Sequence, residues 1–192
     1  MPEHLSETIS AVKNGSQPAF RRLVEEYQSY AFALAFRIVC NEEDARDVVQ
    51  ESFIKIWKGI GQYDEKVKFT TWMYKIITHS AIDKYRKQSR RINLSLDNIT
   101  STQFASLDDD PETMLNNKEL ARLIRLISDG LPEKQRLVFI LRDLDGMGTQ
   151  EVCEILKINE TSVKSNLYHA RRSVRETLKK LVGNRKAEAD EL

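Results

Sequence analysis

Between residues 157 and 181, Lys157, Lys164, Arg171, Arg172, Arg175, Lys179 and Lys180 are opposed only by Glu160 and Glu176. Such an excess of positive charge attracts phosphates and weakens its hold on them as salt rises. Thr161, Ser162, Ser165, Asn166 and His169 lie among these cations and supply groups able to hydrogen-bond base edges. A second set runs from Phe69 to Arg91. There Lys75, Lys84, Arg86, Lys87, Arg90 and Arg91 meet one acid, Asp83, and interleave with Phe69, Trp72, Tyr74 and Tyr85. Bases stack on rings while cations follow the backbone, so this mixture suits single-stranded nucleic acid. A third set has the opposite sign: Glu42, Glu43, Asp44, Asp47 and Glu51 against Arg46. Taken alone, each set also fits a plainer role: solvated surface for the cations, core for Phe69 and Trp72, helix capping for the acids.

Catalytic chemistry has no comparable constellation. His4, His79 and His169 stand on separate segments, with no Gly-rich phosphate loop and no paired-carboxylate pocket. Cys40 and Cys153 match no metal-ligand spacing and sit among apolar neighbours, as small core side chains do. No cofactor or metal is implied.

The elements that position these groups follow from apolar spacing. Thr149 to Leu156 places Val152, Ile155 and Leu156 on one face, and Lys157-Ile158-Asn159 makes a corner at which Asn159 caps the next helix. That helix turns Val163, Leu167, Ala170, Val174, Leu178 and Leu181 inward at three- and four-residue steps. A short helix, a tight corner and a longer helix with a basic outer face make a helix-turn-helix, whose second helix suits a major groove.

Upstream, Ser6 to Lys13 predicts a first helix stopped by Asn14-Gly15. Ser16 caps a second, with Pro18 in its first turn and a stripe of Leu23, Tyr27, Tyr30, Leu34 and Ile38. Asn41 caps a third, over Glu42 to Lys58, with Ala45, Val48, Val49, Phe53, Ile56 and Trp57 inside. Gly59 to Lys68 predicts a loop. A fourth helix spans about Thr70 to Arg91, with Trp72, Ile76, Ile77, Ala81 and Ile82 inside.

From Ile92 to Asn117 there is no lysine or arginine, while Asp97, Asp108, Asp109, Asp110 and Glu112 occur among Ser, Thr and Asn. This predicts an extended acidic linker. A helix with Leu120, Leu123, Ile124 and Ile127 follows, then one opened by Leu131-Pro132 with Leu137, Ile140, Leu141 and Leu144 inward. A charged tail from Asn184 is expected to fray.

The expected fold is therefore all-α: two small helical domains, 1–91 and 118–183, joined by an acidic flexible linker over 92–117 and followed by a tail over 184–192. Four prolines, seven glycines and the absence of an alternating strand pattern agree with it. The net charge of +1 says nothing about nucleic acid; the distribution of charge does. No basic region leads into an apolar run at the N-terminus, and no stretch approaches the ~20 apolar residues that span a bilayer. A soluble, cytosolic chain is expected, monomeric when free.

In order, Asp44-Ala-Arg-Asp-Val-Val-Gln-Glu-Ser-Phe-Ile-Lys-Ile-Trp57, Phe69-Thr-Thr-Trp-Met-Tyr-Lys-Ile76 and Ala81-Ile-Asp-Lys-Tyr-Arg86 resemble the second conserved region of bacterial RNA polymerase sigma factors. Leu131-Pro-Glu-Lys-Gln-Arg-Leu-Val-Phe-Ile-Leu-Arg142 and Val163-Lys-Ser-Asn-Leu-Tyr-His-Ala-Arg-Arg172 resemble the fourth. With little between them, the likeness is to the extracytoplasmic-function group of the sigma-70 family.

The resemblance implies a promoter-specificity subunit that binds core polymerase, selects promoters and helps open DNA. It places Asp44, Asp47, Gln50 and Glu51 on the clamp of the largest subunit. It places Thr70, Trp72, Lys75, His79, Lys84, Arg86 and Lys87 at the minus-ten element. At the minus-thirty-five element it places Thr161, Ser162, Lys164, Ser165, Asn166, His169, Arg171 and Arg172. Contact with the polymerase flap, a linker threading toward the active-site channel and an anti-sigma partner are also implied. Thr78-His79 stand where the family often has Arg-Asn, Asn166 where it often has Arg, and Met147-Gly148-Thr149 where it often has Leu-Ser-Tyr. Asn166 could pair with adenine rather than guanine, which would shift the promoter sequence and not the class of function.

Two other readings compete. A regulator of the response-regulator kind would use the same helix-turn-helix but gives no reason for the acidic helix or the second cationic helix; run-off transcription separates the two. An enzyme would need a constellation the sequence lacks.

Overall fold

The structure, a computed structural model, describes residues 3–94, 124, 127 and 130–190. The chain divides into two units, between Ala105 and Ser106. Residues 92–94, expected to begin the linker, are helical instead; the rest of that stretch, 95–117, and most of the helix expected after Leu120 lie outside the described residues, while Ile124 and Ile127 are helical. No strand occurs among the described residues.

The N-terminal unit is built from α1 (Glu3–Lys13), α2 (Gln17–Val39), α3 (Glu42–Gly59), a 3-10 turn (Ile60–Gln62) and α4 (Phe69–Leu94). Its helices start where their caps dictate. Ser16 Oγ accepts from the Ala19 amide at 3.3 Å and Asn41 Oδ1 from the Asp44 amide at 2.9 Å, each satisfying one of the amides a helix start leaves without a partner. Helix α2 closes at Cys40, whose backbone is left-handed (φ 52) so that its amide reaches the Phe36 carbonyl at 2.8 Å. Ile9 and Val12 from α1, Leu23, Leu34 and Ile38 from α2, Val48, Phe53 and Ile56 from α3, and Phe69, Met73, Ile77 and Ala81 from α4 form the core.

The stripes are narrower than the sequence predicts. Val49, Trp57, Trp72 and Ile76 are half-buried. Tyr30 is exposed and lies flat on Tyr74, with ring centroids 4.9 Å apart. The core of α4 instead begins with Phe69 and Met73.

The C-terminal unit has α5 (Glu133–Phe139), which continues as a π-turn (Ile140–Leu144), then α6 (Thr149–Leu156) and α7 (Glu160–Asp190). The Asp145 amide donates to the Ile140 carbonyl at 2.9 Å, five residues back. This wider turn carries Leu144 out of the predicted inward row to 40% exposure. In α7, Val163, Leu167, Ala170 and Val174 are buried, and Ala170 and Val174 pack on Leu131, Ile127 and Phe139. Leu178 is 42% exposed, so the predicted inner face of α7 gives out after Val174; the side chain of Leu181 lies outside the described ones. The helix runs to Asp190, past the Asn184 at which fraying is expected, through the strong helix formers Arg185, Lys186, Ala187, Glu188 and Ala189. Cys40 is buried as expected, whereas Cys153 is half-buried.

Candidate nucleic-acid interface and docking surface

On α3, Glu42, Glu43 and Asp44 occupy the first turn, where helix amides favour negative charge. Asp47, Gln50 and Glu51 continue as an exposed acidic and polar face. Lys84, from α4, enters this face: its Nζ lies 3.0 Å from Asp44 Oδ1 and 2.8 Å from Asp47 Oδ2. The hydrogen bond to Asp47 and, after it, that to Asp44 raise the ammonium above the usual lysine value, with burial pulling the other way. Lys55 Nζ donates to Ser80 Oγ at 2.8 Å, a second polar link between the two helices.

At the other end of α4, Tyr27 and Tyr63 meet the Phe69 ring edge-on at 6.0 and 5.6 Å, and Trp72 packs 5.2 Å from Tyr63. The loop before α4 is held by Lys13, which donates to Glu65 at 2.8 Å and to the Tyr63 carbonyl at 3.3 Å, with the Tyr63 hydroxyl donating to the Val67 carbonyl. Burial, then Glu65 and Asp64, push the Tyr63 phenol up.

At about 100° per residue, Trp72, Lys75, His79 and Arg86 fall within roughly 60° of one another, with Lys87 alongside. Arg86 and Lys87 are exposed; Thr70, Trp72, Lys75 and His79 are half-buried. Thr70 and Lys84 project from other sides of the helix. The predicted minus-ten set is thus one stripe with Thr70 and Lys84 apart from it. Thr78 is fully buried, so the departure that faces outward is His79.

In the C-terminal unit, Lys157 adopts a left-handed backbone (φ 54) at the corner, the Ile158 amide reaches the Cys153 carbonyl at 3.2 Å, and Asn159 Oδ1 accepts from the Ser162 amide at 2.8 Å. Glu151 accepts from the Gly148 amide at 2.8 Å and so ties down the start of α6. Thr161, Ser165, Tyr168 and Arg172 then share the centre of the outer face of α7, with Lys164 and Arg175 on one side and Ser162 and His169 on the other.

Several of the predicted contacts are engaged within the chain. Arg171 makes a two-pronged ion pair with Asp143, Nε to Oδ2 at 2.8 Å and Nη2 to Oδ1 at 2.6 Å, which raises the guanidinium further. Lys164 pairs with Glu160 at 2.7 Å and Arg172 with Glu176 at 3.2 Å. Asn166 donates its Nδ2 to the Ser162 carbonyl at 2.8 Å, so a two-bond contact with adenine requires that amide to leave its own helix. Tyr168, which the charge pattern passes over, is 65% exposed beside His169, their rings 5.4 Å apart. Its three-residue step from Ser165 and four-residue step from Lys164 are the signal that could have found it.

Comparisons with known proteins bear on this arrangement. Residues 23–91 match Sigma-70 region 2, and residues 121–174 match Sigma-70, region 4. The ECF RNA polymerase sigma factor SigW of Bacillus subtilis is 31% identical over 183 residues, which cover 92% of this chain and 98% of that protein. The chain belongs to the ECF sigma factors. The ECF sigma-E factor of Escherichia coli K12 is 30% identical, covering 95% of this chain and 99% of its own. Among solved structures, CnrH in complex with the cytosolic domain of CnrY has a TM-score of 0.67 at 22% identity, covering 90% of this chain and 95% of that one. The sigma factor RpoE of Bartonella quintana, in complex with the anti-sigma factor NepR, has a TM-score of 0.63 at 21% identity, covering 83% and 96%. Both show the all-α fold of this ECF sigma factor. No helix of the described residues is long and apolar enough to cross a membrane.

Proposed function

We propose that this ECF sigma factor docks on the clamp of core RNA polymerase through Asp44, Asp47, Gln50 and Glu51. In the same reading, the α4 stripe of Trp72, Lys75, His79, Arg86 and Lys87 takes the minus-ten element, with Thr70 and Lys84 contributing from other sides of the helix. The outer face of α7, with Thr161, Ser162, Lys164, Ser165, Asn166, His169, Arg171 and Arg172, takes the minus-thirty-five element, and we add Tyr168 to it. The observation that carries the proposal is the segregation of charge: one acidic face on α3 and two basic faces, on α4 and α7, in different units. The protein breaks no bonds; it supplies affinity and geometry. It works in the cytoplasm, contacts the polymerase flap with its C-terminal unit, and is held at rest by an anti-sigma partner, as NepR is in complex with the Bartonella RpoE.

Opening DNA costs a few kcal/mol per unstacked base, offset by stacking and pocket contacts. Two modest DNA sites on one chain gain affinity together that neither has alone. Replacing Asp47 and Glu51 together by lysine is expected to abolish co-purification with core polymerase and promoter-dependent run-off transcription while leaving the helical circular-dichroism signal unchanged. Both carboxylates are exposed, and because Asp47 also pairs with Lys84 at 2.8 Å, the circular-dichroism signal is what separates lost docking from a loosened α3–α4 contact. Retained co-purification contradicts the assignment.

A further inference from the structure

We propose that Lys84 is exchanged between two surfaces of the N-terminal unit: in the free chain its ammonium sits on Asp44 and Asp47, and a cationic partner seated on those acids releases it to a DNA phosphate. The inference rests on the docking surface proposed above and adds to it a coupling between polymerase and DNA.

Three features carry it. The ammonium lies 3.0 Å from one carboxylate and 2.8 Å from the other, so two of its three donors are committed inside the chain. The contact joins α3 to α4, elements that bear the two opposite charges. And it is accessible: Lys84 is 31% and Asp47 54% exposed, so solvent, and a partner, can reach the pair. Asp44 is 20% exposed, so the outer half of the cluster, Lys84 on Asp47, is the part open to exchange for another cation of better geometry. An arginine from a partner would make that exchange through two parallel hydrogen bonds, where a lysine offers a point charge. Freed from the acids, Lys84 regains an uncompensated charge on the helix that carries Lys75, Arg86 and Lys87. Its flexible four-carbon stem lets the ammonium swing away from the acids toward Lys87, three residues on and about 60° around the helix.

The thermodynamic consequence is reciprocal. Whatever factor the occupied acids add to DNA affinity, bound DNA adds to partner affinity. A chain that holds DNA poorly alone and better on the enzyme needs no large conformational change for this part of its behaviour.

A four-protein cycle in the full-length chain tests it: wild type, Asp44→Asn with Asp47→Asn, Lys84→Met, and all three together. The readout is anisotropy of a fluorescent mixed-sequence single-stranded DNA titrated at several salt concentrations. One regained phosphate contact is expected to raise the affinity of the double acid variant ~3- to 10-fold and steepen its salt slope by about 0.7. The proposal requires most of that gain to vanish when Lys84→Met is added. An equal gain with Lys84→Met present would mean that the acids merely repel phosphates, and would overturn it. Lys84→Gln, a second neutral variant, and circular dichroism of all the proteins exclude a folding defect. Binding to core polymerase separates the two layers. If the acid variant keeps wild-type affinity for the enzyme, the docking surface is wrong; if that affinity falls while the DNA cycle is additive, docking stands and the exchange is wrong.

Discussion

Asp143 sits at the π-turn with its carboxylate on Arg171, Nη2 to Oδ1 at 2.6 Å, and the guanidinium is more than half exposed. A pair in that position contributes at most about 1 kcal/mol to stability, so its larger effect is on where the guanidinium points and how much charge the outer face of α7, proposed to meet DNA, carries. Asp143→Asn is therefore expected to leave thermal stability within ~1 kcal/mol. Affinity for mixed-sequence duplex should rise, with a salt slope steeper by about one phosphate. Unchanged salt dependence would show that Arg171 does not face the duplex. For Lys84 the raised ammonium value fixes a pH window. A group whose folded value lies above its unfolded one stabilises fully below the unfolded value, about 10.4 for lysine, and loses that stability as pH climbs through the folded value. The drop in melting temperature caused by Lys84→Met should thus be the same at about pH 7 and 9 and shrink only in more alkaline solution. A drop that already varies between those two values contradicts the ion-pair account.

At the scale of elements, the helix starts were legible because caps are local. Ser16, Asn41 and Asn159 each bond an amide three residues ahead, an arrangement written in consecutive residues. Asn159 has the most to hold, since it fixes the start of the helix proposed to enter the groove. Asn159→Ala is expected to cost about 1 kcal/mol, read as faster amide exchange in the first turns of α7 with the N-terminal unit unaffected. Exchange rising equally in both units would point to global unfolding instead. The π-turn was not legible, because nothing in Ile140-Leu-Arg-Asp-Leu144 distinguishes a five-residue hydrogen-bond step from a four-residue one. The ring is closed by tertiary packing, with Ile140 and Leu141 fully buried and Arg142 donating to the Met147 carbonyl. One residue of extra winding is enough to expose Leu144 and to set Asp143 on Arg171. The same limit applied to Lys84. A count of charges along α4 assigns it to DNA, and only the register between α3 and α4 reveals its two carboxylate partners. Opposite-charge residues 37 positions apart carry no local sign that they meet.

At the scale of the whole chain, a formal net charge of +1 conceals strongly basic helices balanced by acids placed elsewhere. Asp108, Asp109, Asp110 and Glu112 lie in a stretch with no compensating lysine or arginine, between the two cationic units. Long-range attraction of a polyanion depends on the summed field, whereas contact depends on the local face, so we propose that these acids lower encounter with non-target DNA through the field. Converting Asp108, Asp109 and Asp110 to asparagine and Glu112 to glutamine raises the net charge by four. Affinity of the free chain for mixed-sequence duplex should then rise ~10-fold at low salt, with the gain fading as the Debye length shrinks from about 30 Å at 0.01 M to about 8 Å at 0.15 M. A gain that persists undiminished at the higher salt would mean that these acids cover a cationic face directly and are not acting through the field. No gain at any salt would remove the acidic stretch from the control of DNA binding and leave the exchange at Lys84 and the pairing at Arg171 as the restraints proposed for the free chain.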